Sequence, residues 1–212
     1  MSGRLLKVAP TKNNLLTLKR QAVLLEEGHS LLERKRELLT RLVYDRIGNY
    51  RALRKEAREL VRKAWRWLAV AQMRMGSHAL QQAALGTGAA LAVSILPRRA
   101  LGVQYPSVEA HRLPLKPVGL LGTDASLDQA AAALAEAAVE LARLSEAKIA
   151  LGRLISEQRK AQKRVNALRY NIIPRYRDTI RYIEAVLEEE ERNTLFQIKV
   201  LRENEARQAK RA

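Results

Sequence analysis

Apolar residues recur at three- and four-residue steps along both ends of the chain, which is the spacing of one face of a long α-helix. In the first half the steps run over residues 15–43 and then over residues 47–75. The second half carries a matching seam, made of Val165, Leu168, Ile172, Tyr176, Ile180, Ile183, Leu187, Thr194, Ile198 and Leu201. Because one such helix is not stable alone in water, the two seams predict a pair of antiparallel helices that bury each other.

The predicted organisation has three parts: a long N-terminal helix over residues 1–75, a turn-around region over residues 76–126, and a long C-terminal helix over residues 127–212. Thr11, directly after a proline, is a predicted N-cap, and Ser126 followed by Gln129 predicts a capping box. The first helix should therefore start near residue 11 and the last near residue 126.

Pro174 interrupts the second seam and removes one backbone donor from the helix. The apolar pattern resumes beyond it without turn residues. We therefore expect a kink near Asn171 and a helix that continues on the far side.

The turn-around region holds most of the glycines and prolines of the chain. Residues 101–115 place Val103, Tyr105 and Val108 between turn residues, so a short hairpin is plausible there. The alanine-rich residues 79–96 suggest one or two further helices, interrupted at Gly86 and Gly88. The predicted fold class is all-α: a long antiparallel two-helix coiled coil with a small irregular central region that could contain a short β-hairpin.

Composition narrows the class of protein. Ala, Leu, Arg and Glu dominate, as in long paired helices, and the chain has no cysteine, which excludes a disulfide framework and thiolate metal sites. The longest apolar run, residues 83–96, is too short to span a bilayer, so a soluble cytoplasmic protein is expected. The net charge of +17 predicts an acidic partner, such as nucleic acid, anionic lipid or an acidic protein surface.

Candidate chemistry is sparse. Gly86 and Gly88 are not followed by the Lys-Ser or Lys-Thr of a phosphate-binding loop. His29, His78 and His111 lack metal-ligand spacing. The acidic residues 188–191 point around most of a helix circumference, which is typical of a solvated surface. We predict no catalytic, metal-binding or cofactor-binding residue, and no enzymatic activity of the chain alone.

Three short motifs resemble the D subunit of the vacuolar and archaeal-type rotary ATPases. The C-terminal one comprises RVNAL at residues 164–168, Ile173-Pro174, Glu191-Arg192, Phe196 and Lys199. The N-terminal one comprises Pro10-Thr11-Lys12, Leu15-Leu16, Gly28, Leu31-Leu32 and Lys35-Arg36. The central one is Leu101-Gly102-Val103 with Tyr105-Pro106. They occur in the family's order and cover both ends and the middle of the chain.

The resemblance implies a non-catalytic central rotor axle that transmits torque between a catalytic hexamer of A and B subunits and an ion-translocating membrane ring. The paired terminal helices would enter the hexamer, with sleeve contacts expected at Arg34, Lys35, Arg36, Arg175, Arg192 and Lys199. The central region would bind the small F subunit and the socket subunit (C/d), with contacts expected at Gly102, Val103, Tyr105 and Pro106. The protein would then lie on the cytoplasmic face of the membrane, held there through the complex, with no cofactor of its own.

Charge alone leaves an alternative open. Residues 12–74 carry 16 Lys and Arg against 7 Asp and Glu. Such an excess suits a basic coiled-coil adaptor that binds nucleic acid or an anionic membrane surface. It equally suits a protein sleeve with an acidic lining, which the family resemblance favours, without nucleic acid as a partner. The two hypotheses differ in whether binding to duplex nucleic acid weakens steeply with salt.

Overall fold

The computed structural model describes residues 5–114 and 122–209. In chain order the elements are helix α1 (Lys12–Gly86), strand β1 (Leu91–Ala100), strand β2 (Val103–Arg112), helix α2 (Ala125–Ala167), a π-helical turn (Leu168–Ile172) and helix α3 (Ile173–Ala209). They form two compact units. The terminal unit contains the residues up to Arg36 and from Lys160 onward, and the central unit is Glu37–Arg159.

Helix α1 begins where the sequence predicts. The Thr11 hydroxyl accepts a hydrogen bond from the Asn14 N–H at 3.3 Å, so Thr11 is the N-cap. At the far end Gly76 leaves the helical region (φ 80°, ψ 162°), one residue beyond the predicted end at residue 75. Glycine tolerates this conformation because it has no Cβ, and a second helical segment then continues to Gly86.

The prediction of helix over residues 79–96 is right as far as Gly86 and wrong from Leu91 onward, where strand β1 begins. The β-branched residues Val93 and Ile95 favour the extended conformation, and pairing with β2 outweighs the helical preference of the alanines. The hairpin is therefore longer than expected. It spans residues 91–112, and Leu101-Gly102 forms its two-residue turn.

Helix α2 begins slightly earlier than predicted, at Ala125. Its cap is Asp124, whose carboxylate accepts hydrogen bonds from the N–H and the hydroxyl of Ser126. Ser126 itself is buried and lies inside the first turn. The predicted capping box at Ser126 is therefore wrong. The N-cap lies two residues earlier, at Asp124, whose carboxylate accepts the hydrogen bonds of the first turn.

The predicted irregularity near Asn171 is a π-helical turn. The Ile173 N–H donates to the Leu168 carbonyl, one residue further back than in an α-helix. Pro174 has no N–H for the carbonyl of Tyr170, so one α-helical bond is lost at this point in any case. The helix continues through the turn into α3, which confirms that the proline distorts the helix without ending it.

In the terminal unit, α1 and α3 run antiparallel. Three ion pairs connect them: Lys12 with Glu191 at 2.8 Å, Lys19 with Glu184 at 2.7 Å, and Glu26 with Arg177 at 2.6 Å. All six side chains are at least one-third exposed, so these pairs set the register more than the stability. Burial of the seam supplies the stability, as at Ile183, which is fully buried.

The central unit is packed mainly with alanine. Ala64 of α1 meets Ala133 and Ala137 of α2, and larger side chains such as Trp67 flank this cluster. Because the alanine side chain is small, the two helices can approach each other closely at this cluster. At Thr40 and Gln158, where α1 and α2 also approach each other, the fully buried side chains are larger, namely Leu39 and Leu154.

The described structure therefore has the predicted fold class, paired long helices with a small central hairpin. Within residues 5–114 and 122–209, no helix has an apolar stretch long enough to cross a membrane.

Candidate partner-binding surfaces

The last part of α3 lies beyond its partner helix. Glu191 is paired with Lys12, the first residue of α1, and every residue from 188 to 204 is exposed. We call residues 192–204 the projecting helix. The sequence predicts a buried seam here through Thr194, Ile198 and Leu201, and this part of the prediction is wrong, because α1 begins too late to cover it.

The projecting helix exposes large apolar side chains on more than one side. At about 100° per residue, Leu195, Ile198 and Leu201 form one strip, while Phe196 and Val200 lie on another. Leu195 and Phe196 are each 67% exposed. Contiguous exposed apolar side chains normally mark a contact surface. This segment therefore has the chemistry of a helix that contacts a partner on two of its sides.

Residues 5–11, the described part of the chain ahead of α1, do not cover the projecting helix. They turn back toward the π-helical turn, and the Leu6 N–H donates to the Thr179 hydroxyl at 3.1 Å. That hydroxyl, which is almost fully buried, in turn donates to the Arg175 carbonyl at 2.7 Å. Leu6 thus lies beside Thr179, in the part of α3 that α1 already covers.

An ion pair marks the base of the projecting helix. The hydrogen bond and charge of Glu191 raise the pKa of Lys12, and those of Lys12 lower the pKa of Glu191. Both side chains are largely exposed. The pair fixes the point at which α1 joins α3.

The six predicted sleeve residues do not form one patch. Arg192 and Lys199 lie on the projecting helix and are exposed. Arg34, Lys35 and Arg36 lie more than 20 residues further along α1 than Lys12, roughly 35 Å at ~1.5 Å per residue. Of these, Arg36 is half-buried and its guanidinium approaches Gln162 at 3.4 Å and Glu33 at 3.8 Å.

Arg175, the sixth, is half-buried on the first turn of α3. The apolar members of the projecting helix are not among the predicted contacts. The three- and four-residue spacing assigns Ile198 and Leu201 to the buried seam, and it gives Leu195, Phe196 and Val200 no role. The signal that distinguishes them is the position of Pro10 and Thr11, which stop α1 short of this level.

Around the hairpin, the predicted contact residues separate into two groups. Val103 and Tyr105 are buried, at 7% and 6% exposure, on the side of β2 that faces the helices. Arg46 of α1 donates to the Tyr105 hydroxyl at 2.8 Å, and its guanidinium lies 4.8 Å from the ring centroid. These two side chains anchor the hairpin. Gly102, in the turn, and the half-buried Pro106 lie nearer the surface.

No constellation of an enzyme active site stands out among the described residues. Within residues 5–114 and 122–209, no group of three or more His, Asp or Glu side chains is placed to hold a metal ion. One apolar groove of about 500 Å³ lies in the central unit, lined chiefly by Ala and Leu, with Gln81 and Thr87 as its polar side chains. Such a lining suits an apolar side chain more than a charged substrate.

Comparison with known proteins identifies the family of the chain. A family model described as the D subunit of ATP synthase matches residues 14–203. The V-type ATP synthase D subunit of Thermotoga neapolitana is 36% identical over 203 residues, which cover 95% of this chain and 100% of the relative. The A-type ATP synthase D subunit of Pyrococcus furiosus is 35% identical over 199 residues, 92% of this chain and 93% of the relative. The chain belongs to the family of D subunits of the V-type and A-type ATP synthases.

Proposed function

We propose that this protein is the central rotor axle of its ATP synthase. It transmits torque between a catalytic hexamer of A and B subunits and the ion-translocating ring in the membrane. The axle itself catalyses no reaction. Nucleotide chemistry belongs to the hexamer and ion translocation to the ring, and the axle couples the two by turning.

The projecting helix is the observation that carries the proposal. Its apolar side chains point in several directions and lie exposed in the isolated chain. A flat partner would cover one side only, whereas the central opening of a hexamer surrounds the helix. Arg192 and Lys199 add charge on the same segment, and exposed ion pairs of this kind are individually weak and exchangeable. A surface held without strong directional bonds is suited to turning inside its partner.

Torque requires that the axle be asymmetric. At Lys19 and Glu184 the terminal unit presents two helices of different sequence side by side, and no threefold rotation relates them. Three equivalent catalytic interfaces placed around this pair therefore meet different surfaces at any moment. Turning the axle changes which interface favours the empty, ADP-bound or ATP-bound geometry, which is a population shift driven by differential contact.

The central unit then serves the membrane side of the complex. We assign its hairpin and neighbouring helices to the F subunit and the socket subunit, with the exposed Gly102 and the half-buried Pro106 as the more accessible members of the expected contacts. The axle lies on the cytoplasmic face of the membrane and is held there through the complex. A protein sleeve with acidic groups accounts for the charge of +17 without nucleic acid.

Single-molecule rotation tests the axle role. The chain has no cysteine, so Leu85→Cys, at a residue that is 90% exposed, gives a unique attachment point for a bead. With the hexamer immobilised through its B subunits, ATP should drive rotation of the bead in one direction with three pauses per turn. A bead attached to one of the B subunits should stay still. A stationary bead on the axle during steady ATP hydrolysis would contradict the proposal.

A further inference from the structure

The hairpin has two outer edges that differ in their hydrogen bonding. Pro97 lies opposite Pro106, and neither has an N–H, so this is a non-hydrogen-bonded pair of the antiparallel ladder. The same holds for every second pair, including Ile95 with Val108 and Val93 with Ala110. The N–H and C=O groups of these residues therefore point away from the hairpin.

On the β2 side, two of these outward groups are satisfied by α2. The Val108 N–H donates to the Glu146 carboxylate at 2.9 Å. The Gln104 carbonyl accepts from the Arg153 guanidinium at 2.8 Å. These two contacts also confirm the alternation derived from the proline pair. At Gln104 and Val108 the edge of β2 is thus bonded to helix α2.

On the β1 side, the outward groups of Val93 and Ile95 have no partner among residues 5–114 and 122–209. The sheet has two strands, and β1 is exposed from residue 92 to residue 99. An uncovered edge of this kind is a template for another strand, and proteins usually block it. Residues 91–96 carry neither a proline nor a charged side chain, and Pro97, which follows them, removes the outward donor at its own position only.

The face of the hairpin that points away from the helices is apolar beside this edge. Residues on it alternate with the buried Val103, Tyr105 and Ser107. Between residues 93 and 97 of β1 and residues 106 and 110 of β2 its members are Val93, Ile95, Pro97, Pro106, Val108 and Ala110, and the polar Arg99 and Gln104 follow on the same face nearer the turn. A solvated face of an antiparallel sheet is normally polar. Val93 and Ile95 are 48% and 66% exposed, so the apolar face is open at the same residues as the edge.

We propose that residues 91–96 of β1 receive an extended segment of another protein of the complex, which adds a third strand to the hairpin. Its backbone pairs with the outward groups of Val93 and Ile95 and with the Pro97 carbonyl, and its apolar side chains continue the exposed face. Arg98 and Arg99 have no acidic partner among the described residues, so the segment carries an acidic residue next to them. The inference concerns the central unit alone and does not depend on rotation.

Amide hydrogen exchange, resolved to single residues, tests the added strand. It is measured on the free protein and on the assembled ATP synthase. The Val93 and Ile95 amides should exchange at least about a hundredfold more slowly in the complex. The Ser94 and Leu96 amides, which pair within the hairpin, and the Val108 amide, bonded to Glu146, should be protected in both states. Equal exchange at Val93 and Ile95 in the two states would overturn the proposal.

A matched pair of variants separates edge pairing from side-chain packing. Ile95→Pro removes an outward N–H and no hairpin bond, whereas Ile95→Thr keeps the N–H. In the complex, Ile95→Pro should abolish the protection of Val93, and Ile95→Thr should retain most of it. Hairpin amides in the free variants report whether the hairpin still folds. Unchanged Val93 protection in a folded Ile95→Pro complex would overturn the proposal.

Two further outcomes separate this proposal from a self-association of the chain at β1 and from the proposed rotor function. Protection that appears in the free protein and rises with its concentration would assign the edge to a second copy of this chain, which overturns a heterologous partner. Protection in a complex whose axle does not rotate would contradict the proposed function and support the edge site.

Discussion

The projecting helix and strand β1 both expose apolar side chains, but they offer a partner different kinds of contact. The projecting helix satisfies its own backbone hydrogen bonds and presents only side chains, which point around much of its circumference. Strand β1 presents side chains and also outward N–H and C=O groups along one edge. Apolar packing has no fixed direction, whereas a strand ladder fixes register. The first surface is suited to movement against its partner and the second to permanent attachment.

The largest expected effect concerns the projecting helix. Phe196→Asp places a charge where the proposal requires burial, and loss of one buried phenylalanine costs about 1.5–3 kcal/mol. Affinity of the axle for the A/B hexamer should fall about 10- to 100-fold, measured by titration of the labelled axle protein. Gln197→Asp, on the same helix at an already polar residue, is the matched control. Equal losses in the two variants would point to a general charge effect and weaken the comparison.

The next effect concerns the attachment of the hairpin. Arg46→Ala removes both the hydrogen bond to Tyr105 and the cation–π contact. We expect a loss of about 1–2 kcal/mol in the free energy of unfolding, measured by denaturant titration. Tyr105→Phe should lose less, because the ring remains. The exposed Arg41 provides the control: Arg41→Ala should change stability by less than about 0.5 kcal/mol. Equal effects of Arg46→Ala and Arg41→Ala would show that the hairpin is held by other contacts.

A gain in stability is expected at the hairpin turn. Leu101 has a φ of 50°, a conformation that disfavours a leucine but suits asparagine. Leu101→Asn should raise the free energy of unfolding by up to about 1 kcal/mol. Leu113→Asn, at an exposed leucine without positive φ, should give no such gain. Equal changes in the free energy of unfolding of the two variants would show that the positive φ of Leu101 does not destabilise the hairpin.

The smallest effect concerns pH. The pKa of Glu191 is lowered by Lys12, so the pair stabilises the folded state above the ordinary pKa of a glutamate, and this contribution is lost as the pH falls through the lowered value. Because the pair is exposed, the change in overall stability should be small. Carboxyl NMR should show the Glu191 pKa rising toward its ordinary value in Lys12→Gln. The same pKa in both proteins would exclude the pair in solution.

The seams predicted the helices well, because a buried face requires apolar residues at helical spacing wherever a partner lies opposite. At Ile183 and Val165 this reasoning held, since both are buried. At Leu201 it failed, because periodicity does not tell whether the partner helix extends that far. Strand β1 was missed for a related reason. Its alanines and leucines are compatible with a helix, and only its long-range pairing with β2 decides the conformation.

Labelling of single cysteines around the projecting helix tests its enclosure most directly. Leu195→Cys, Phe196→Cys, Gln197→Cys and Ile198→Cys place one thiol in each of four directions, at about 100° intervals. In the free protein all four should react rapidly with a maleimide, since all four residues are exposed. In the assembled ATP synthase all four should react slowly. Rapid reaction of any of the four in the complex would show that the helix lies against a surface instead of inside a sleeve.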